Sequence, residues 1–401
     1  MLHSNPRFPI GSMVDPLQKW DPSKNGLDER FTYIDIAAVG RISKRIEETA
    51  ELLCHEAPSR ARQLVCANDV LVSTVRPNLN AVALVGDDND GATASTGFTM
   101  LRPKAGIIDA RYLYYWVRTP YFIQDLVRQA TGASYPAVSD GIIKTTKIPL
   151  PTKPDGTPDI DEQRRIAAIL DKADTIRRQR QETIRLSEEF LRSAFLEMFG
   201  DPVTNPKGWE VVELGKLCQR VVDCAHTTPT YSEDVRPYPC VRSSDIQAWH
   251  FDWSSTKTVS QRIYETRTKR HIPISGDVVF CREGARFGNA ARIPEGYKIC
   301  LGQRMMIFQA LKGTATAEYL WALLNLSQEA FAGIAGGAAA PRVNIKDLVG
   351  LKVMRPPIDV QRHFSDLVGF IDRIKEHNRQ LHEENENLFN SLVQRAFCGE
   401  L

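Results

Sequence analysis

Two hexapeptides decide how this chain is organised: DEQRRI at residues 161–166 and DVQRHF at residues 359–364. They open two charged stretches that match in one register as far as Phe199 and Phe397. Self-similarity at a fixed offset is the sequence signature of an internal repeat. The chain is therefore predicted to be one unit written twice, each unit being a globular domain followed by a long helix.

The residues before each helix match as well. GASYPAV at 132–138 corresponds to GAAAPRV at 337–343, and NDVLVS at 68–73 corresponds to GDVVFC at 276–281. The second pair consists of short β-branched runs that lead into polar loops, which is typical of strands. The duplication thus extends through the globular part of each half.

Each half mixes strands and helices without regular alternation, which favours an α+β fold. Strands are predicted at 31–36, 70–74, 278–281 and 305–309, and helices at 110–131 and 316–335. The predicted plan is an irregular N-terminal segment at 1–27, a first domain at 28–151, a long helix at 160–200, a second domain at 207–357 and a second long helix at 358–398. The second domain opens with WEVVELG at 209–215, for which the first shows no equivalent; Met13 is an alternative start.

The two long helices carry a heptad-like pattern, in which apolar residues recur in alternating steps of four and three. Helices of about 38 residues span on the order of 55 Å, and a compact chain would pack them antiparallel about a pseudo-two-fold axis, as a coiled coil with a polar centre. Alternatively, the polar central residues border a solvated or partner-covered groove. The residues expected to pack between the helices or to dock partners are Ile166, Ile169, Ile176, Arg180, Phe364, Ile371, Asn378, Leu381, Asn385 and Leu388.

Composition bounds the function only loosely. The chain has 401 residues, enough for two or more domains, and a net charge of +2, so no global field indicates a nucleic-acid partner. The eight cysteines form no CxxC pair, and the chain shows no signal-like segment and no apolar run long enough to cross a bilayer. We expect a cytoplasmic protein without a membrane partner.

Catalytic signatures are missing from the sequence. It has no Walker A motif, no GxGxxG, no methyltransferase Asn/Asp-Pro-Pro-aromatic motif and no HExxH. Asp223, Cys224 and His226 bring three metal-ligand types together, but no second cluster completes a zinc site. The chain is predicted to be non-catalytic and to bind no metal.

Polar loops at matching places in the two halves carry side chains of the types that can read DNA, and we predict that these loops bind DNA. Base edges are recognised by arginine, asparagine, glutamine and hydroxyl groups on rigid loops, and phosphates by cations. For any one of these residues the alternative is a solvated side chain or a local ion pair. The candidates are Arg76, Asn78, Asn80, Ser134, Tyr135, His226, Thr227, Thr228, Tyr231, Arg282, Arg286, Asn289, Arg342 and Asn344.

This pattern resembles the DNA-specificity subunit of type I restriction-modification enzymes, over nearly the whole chain after about residue 28. The resemblance rests on the helix opening at 161–166, the exit FLEMFGDP at 195–202, the entry at 209–215 and the ending AFCGEL at 396–401. It implies two target-recognition domains that each read one half of a split, asymmetric DNA site, with the helices setting the spacing. It also implies docking of two methyltransferase subunits and two translocase-nuclease subunits, which would bind S-adenosylmethionine, ATP and magnesium; this chain itself would hold no cofactor.

Two other classes of function stay open at this point. A stand-alone DNA-binding or scaffold protein could keep the same architecture after losing its enzyme partners. A self-contained nuclease is the more remote class, because it would need a catalytic motif that the sequence does not display.

Overall fold

The computed structural model describes residues 5–17, 20–24, 26, 28–132, 135–232, 238–336 and 341–401; within the last range the side chains of 379, 380, 382 and 383 are not described. The chain divides into two compact units. Unit 1 comprises Met1–Gln181 and Gln380–Leu401, and unit 2 comprises Glu182–Arg379. Each long helix therefore contributes one half to each unit.

Unit 1 contains two four-stranded sheets, ordered β2-β9-β6-β7 and β4-β3-β8-β5, and a two-stranded pairing of β1 with β10. The strands and helices, in chain order, are β1 (Arg7–Pro9), β2 (Val14–Asp15), β3 (Arg30–Ile34), β4 (Ala50–Leu53), β5 (Ala61–Leu64), β6 (Val70–Ser73), β7 (Val82–Leu84), β8 (Thr93–Ser95), β9 (Phe98–Pro103), α1 (Ala110–Trp116), α2 (Pro120–Gln129), α3 (Asp140–Thr145), β10 (Lys147–Pro149) and the long helix α4 (Ile160–Phe199).

Unit 2 repeats the first sheet as β12-β18-β15-β16 and the two-stranded pair as β11-β19, but its second sheet, β14-β13-β17, has three strands instead of four among the described residues. Its elements are β11 (Glu210–Glu213), β12 (Cys218–Asp223), β13 (Tyr238–Val241), β14 (Lys257–Val259), α5 (Gln261–Arg267), β15 (Val278–Cys281), β16 (Ala290–Arg292), β17 (Cys300–Leu301), β18 (Met305–Ala310), α6 (Ala317–Leu326), α7 (Gln328–Ile334), α8 (Ile345–Val349), β19 (Lys352–Arg355) and the long helix α9 (Ile358–Cys398). The duplication seen in the sequence is therefore present in strand order, and the content is mixed α and β as predicted.

The described part of the N-terminal segment holds the strands β1 and β2, so the prediction of an irregular segment at 1–27 is wrong for those residues. β1 pairs antiparallel with β10 just as β11 pairs with β19. Each of these strands leads into a glycine, Gly11 or Gly215, at a close approach: a Cβ on Gly11 would lie 3.2 Å from the carbonyl oxygen of Lys144, and one on Gly215 would clash with Val349 Cγ1. The first domain thus has the entry strand that the sequence comparison missed, and Met13 lies buried in its core.

Each of the helices predicted at 110–131 and 316–335 is in fact two helices. In unit 1 the break falls at Thr119, whose extended backbone (ψ 147°) is what a following proline favours, and Thr119 Oγ1 caps α2 by accepting from Phe122 N. In unit 2 the break falls at Ser327, between α6 and α7. The apolar pattern continues across both breaks, so the sequence did not predict them.

The core of unit 1 includes both long helices. Ile166 and Leu170 of α4 share one apolar cluster with Phe389 and Phe397 of α9. The Phe397 ring packs 5.1 Å from that of Tyr112 on α1, so the helices are held by the globular part as well as by each other.

The core of unit 2 repeats this plan with the other halves of the helices. Phe195 of α4 lies 5.6 Å, ring to ring, from Phe364 of α9 and 5.7 Å from Tyr319 of α6. In each unit the two helix segments therefore meet with opposite chain directions.

The predicted heptad positions describe only part of the buried helix face. Ile166, Phe364 and Ile371 are buried and Ile169, Arg180, Asn378, Leu381 and Asn385 are half-buried, but Ile176 and Leu388 are 45% and 53% exposed. Phe389 is buried in place of Leu388, because its ring packs against Tyr115 of α1. Ile176 and Leu388 do not lie in a buried seam, since the globular part and not the helix pair alone decides which face is covered. As exposed residues they stay predicted positions for partner docking.

Candidate DNA interface

In unit 1 the loop after β6, which holds Arg76, and the loop before α3, which holds Pro136 and Val138, are joined by backbone hydrogen bonds. Arg76 N donates to Pro136 O at 2.7 Å, and Val138 N donates to Thr74 O at 2.9 Å. Two loops that the sequence predicted separately are therefore one surface.

The same ladder recurs in unit 2. Gly284 N donates to Pro341 O at 3.1 Å, and Val343 N donates to Arg282 O at 3.1 Å. By this hydrogen-bond pattern Gly284 is the equivalent of Arg76, and Arg342 is the equivalent of Ala137. The two units thus present different side chains on one backbone framework.

Arg76 and Tyr135 form the centre of the unit 1 surface. The guanidinium carbon of Arg76 lies 4.4 Å from the centroid of the Tyr135 ring, which is 61% exposed. Both residues line a cleft of about 650 Å³, to which the exposed Arg41 and Arg60 also contribute. Asn78, two residues on from Arg76, is exposed at the loop tip.

Asn80 is half-buried, and its polar groups make contacts within unit 1. Its side-chain Nδ2 donates to the backbone oxygen of Arg118 at 3.3 Å, and its backbone carbonyl oxygen accepts from Lys44 Nζ. Burial and the positive charges of Arg118 and Arg177 lower the pKa of Lys44 to about 8. The Asn80 amide anchors the Arg76 loop to the body of unit 1, and a DNA contact by Asn80 stays a prediction.

Two of the three arginines predicted in unit 2, Arg282 and Arg342, lie in different environments. Arg342 is exposed, whereas Arg282 is 16% exposed and lies with its Nε 3.4 Å from Asp223 Oδ1. Asp223 Oδ2 also lies 3.1 Å from His226 Nε2. Arg282 and Asp223 are both half-buried, and their contact favours a role for Arg282 in the fold; a DNA contact stays a prediction for both arginines, of which only Arg342 is exposed.

The His226 loop is held from behind by Arg267, which sequence patterning did not single out. The Arg267 guanidinium donates to Thr227 O at 3.0 Å, Ala225 O at 3.1 Å and Leu301 O at 2.7 Å. This bracing leaves the His226, Thr227 and Thr228 side chains exposed.

Beside this loop the Tyr231 ring is half-buried, with Lys257 Nζ 4.7 Å from its centroid. The described part of the chain gathers no three histidine, cysteine, aspartate or glutamate side chains that could hold a metal ion.

The remaining candidates divide by exposure. Arg286 is exposed, and Asn344 is exposed with its amide donating to Asp347 Oδ2 at 3.2 Å. Asn289 is half-buried and accepts from Gln328 Nε2 at 3.2 Å. Ser134 lies outside the described residues.

Three basic residues of these surfaces could not have been found from repeat matching. Arg41 and Arg60 come from chain segments that show no match between the halves, and they reach the cleft only through the packing of β3, β5 and β6. Arg304 has a left-handed backbone (φ 67°) and is 55% exposed, with its Nε 3.6 Å from Glu283 Oε1. Their charge is visible in the sequence, but their proximity to the matched loops is not.

The model of the family described as "Type I restriction modification DNA specificity domain" matches residues 63–186 and 206–386, well over half of the chain. The chain belongs to this family. The resemblance drawn from the sequence is confirmed: this is a specificity subunit of the type I restriction-modification class. Among the described residues, no helix is long and apolar enough to cross a membrane.

Curated relatives carry the same description. A putative type I restriction enzyme MjaX specificity subunit of Methanocaldococcus jannaschii is 20% identical over 366 residues, which cover 85% of this specificity subunit and 80% of that one. The MjaVIII specificity subunit of the same organism is 21% identical over 354 residues, covering 84% and 80% of the two chains.

Solved structures show the same fold. One chain, from a structure on complex assembly and conformational transition of the type I R-M system, superposes with a TM-score of 0.56 at 24% identity and covers 100% of both chains. The S subunit of a type I system from M. genitalium superposes with a TM-score of 0.56 at 12% identity, covering 98% of this chain and 96% of that one.

Proposed function

We propose that this specificity subunit directs a type I methyltransferase and nuclease to a split, asymmetric DNA site, each globular domain reading one half. The observation that carries the proposal is one hydrogen-bonded loop framework, present in both units, that bears different side chains in each. Equal scaffolds with unequal contacts are what a bipartite asymmetric target requires, because base identity is read by side chains on the scaffold.

The long helices, packed as an antiparallel coiled coil, set the distance between the two readers and dock the partner subunits in this proposal. Two methyltransferase subunits bind along them, and two translocase-nuclease subunits join the complex. The partners supply S-adenosylmethionine, ATP and magnesium. This chain contributes recognition and spacing and performs no chemistry.

The experiment is a methylation assay on a random DNA library. The full chain, assembled with the methyltransferase subunit of its host, is incubated with S-adenosylmethionine, and the methylated adenines are sequenced. Methylation at one asymmetric two-part sequence is expected, with none when this chain is left out. Methylation at a continuous palindrome, or a pattern that persists without this chain, would overturn the proposal.

A length change tests the spacing role separately. Inserting one heptad at matched positions of α4 and α9 adds about 10 Å to each helix, close to three base pairs of duplex at ~3.4 Å each. We expect a spacer that is about three base pairs longer and two unchanged half-sites. A matched variant with seven substituted, non-inserted residues at the same positions should keep the original spacer. An unchanged spacer in the insertion variant would contradict the proposal that the helices set the spacing.

A further inference from the structure

We propose that Arg76 reads a guanine in the DNA half-site bound by unit 1, by donating two hydrogen bonds to the N7 and O6 atoms of that base. This inference rests on the proposed function and deepens it by naming the base. Four features of the Arg76 loop carry it.

The first feature is the cation–π contact with Tyr135. The Arg76 guanidinium carbon lies 4.4 Å from the ring centroid, and the structure gives the guanidinium no carboxylate partner among the described residues. A guanidinium is planar and holds its N–H donors in a fixed fork, which this contact leaves available to an acceptor. That fork matches the paired acceptors of guanine in the major groove, the commonest specific arginine contact.

The second feature is backbone conformation. Arg76 adopts a left-handed backbone (φ 48°, ψ 63°) that costs an arginine free energy, and its equivalent in unit 2 is Gly284, with φ 94°. A glycine would hold this turn without strain. Strain kept at an exposed residue indicates a function for the side chain.

The third feature is rigidity. Arg76 N is bound to Pro136 O at the start of the loop, and Asn80 is bound to Arg118 O and Lys44 Nζ at its end. Base readout requires a side chain held within a fraction of an ångström, and a loop anchored at both ends meets that requirement.

The fourth feature is the charge around the cleft. Arg41 and Arg60 line it together with two acidic residues, Asp35 and Glu47. Carboxylates repel the phosphates of the DNA backbone, so Asp35 and Glu47 make the cleft less favourable for phosphate than arginines alone would. The major-groove edge of a G·C pair presents the guanine acceptors beside the cytosine N4 donor, and a mixed cleft suits that edge.

The test compares Arg76→Gly and Arg76→Lys with the unaltered subunit, each assembled with the methyltransferase partner and assayed on the random library. Arg76→Gly has the residue that unit 2 uses at this turn, and Arg76→Lys keeps a single positive charge. We expect both to lose the preference for one guanine in the unit 1 half-site by about 10- to 100-fold. The unit 2 half-site should stay unchanged, which also reports that the variants are folded.

Replacing that guanine by 7-deazaguanine in a single target duplex checks the N7 contact. The modified base should weaken binding by the unaltered subunit and leave binding by Arg76→Gly unchanged. A uniform loss of affinity without a change in preference, or full activity of Arg76→Lys, would make Arg76 a phosphate contact and overturn the inference. If the unaltered subunit gave no two-part methylation, the proposed function would fail first, so the two failures are distinguishable.

Discussion

Arg118 donates to both carboxylate oxygens of Asp174, at 3.0 Å and 3.2 Å, with the side chains 6% and 1% exposed. Asp174 lies on α4, and its repeat equivalent on α9, Asp372, pairs with Arg292 of β16 and is 45% exposed. The same helix position therefore ties each unit together, but the arginine comes from a different element in each. The ion pair is buried in unit 1 and open to solvent in unit 2.

Asp174→Asn is expected to lower the free energy of unfolding by about 3 to 5 kcal/mol, because the buried Arg118 loses its counter-charge. Asp372→Asn is the matched control and should cost at most about 1 kcal/mol, since solvent screens an exposed pair. Urea unfolding followed by circular dichroism measures both. Equal losses for the two variants would show that burial does not decide the strength of this contact.

The same aspartate makes stability depend on pH. Burial acts to raise the pKa of Asp174, but the hydrogen bond and charge of Arg118, with the charges of Arg177 and Arg178, outweigh it and hold that pKa below its ordinary value. A depressed folded pKa stabilises the fold above the unfolded pKa, about 3.9, and this contribution is lost as pH falls through the folded pKa.

The difference in unfolding free energy between the unaltered chain and Asp174→Asn should therefore be constant from about pH 7 to 5 and shrink below about pH 4. Urea midpoints of the two proteins across this range measure it. A difference that grew on acidification would mean that the pKa of Asp174 is raised, contrary to its contacts.

Alanine substitution should weaken DNA binding at Arg342 and lower the free energy of unfolding at Arg282. Arg342→Ala is expected to weaken binding of the unit 2 half-site by about 1 to 3 kcal/mol if a bidentate base contact is lost, with stability changed by less than about 0.5 kcal/mol. Arg282→Ala should instead lower stability by about 1 to 3 kcal/mol, because Asp223 is left without its cation. Fluorescence anisotropy with target DNA and urea unfolding separate the two effects; a binding defect confined to Arg282→Ala would reverse the assignments.

Gln163 and Gln361, the third residues of the repeated hexapeptides, are fully buried. Gln163 attaches the start of α4 to the globular part of unit 1 by hydrogen bonds, and Gln361 attaches the start of α9 to that of unit 2. Gln163 Oε1 accepts from Asp109 N at 2.9 Å and its Nε2 donates to Ile107 O at 3.2 Å. Gln361 likewise accepts from Thr316 N at 3.0 Å and donates to Thr314 O at 3.2 Å.

Gln163→Leu and Gln361→Leu should each cost about 1 to 3 kcal/mol of unfolding free energy, because buried backbone groups lose their partners. Arg362→Ala, next to Gln361 on an exposed face, is the control and should change stability by less than about 0.5 kcal/mol. Thermal unfolding of the three variants measures this. A glutamine variant as stable as the control would show that the buried glutamine does not stabilise the attachment of the long helix.

Periodicity along the chain was enough to predict the long helices, which the structure places at Ile160–Phe199 and Ile358–Cys398. It was not enough to predict their buried face, because Phe389 and Phe397 are covered by rings of α1, an element more than 200 residues away in sequence. The entry strand β1 was missed for a related reason. Its side chains differ from those of β11, and only the backbone pairing and the close approach at Gly11 make the two strands equivalent.

The sequence by itself determined that this protein is a duplication and to which family it belongs, since both properties lie in the order and spacing of residues along the chain. Only the tertiary structure decided which polar side chains face solvent. Arg282 is paired with Asp223 and Asn80 with Arg118, while Arg76 and Arg342 are left exposed. The reason is physical: a side chain in a loop is free to contact DNA only if no carboxylate or carbonyl group of the protein already binds it. Such partners come from distant parts of the chain.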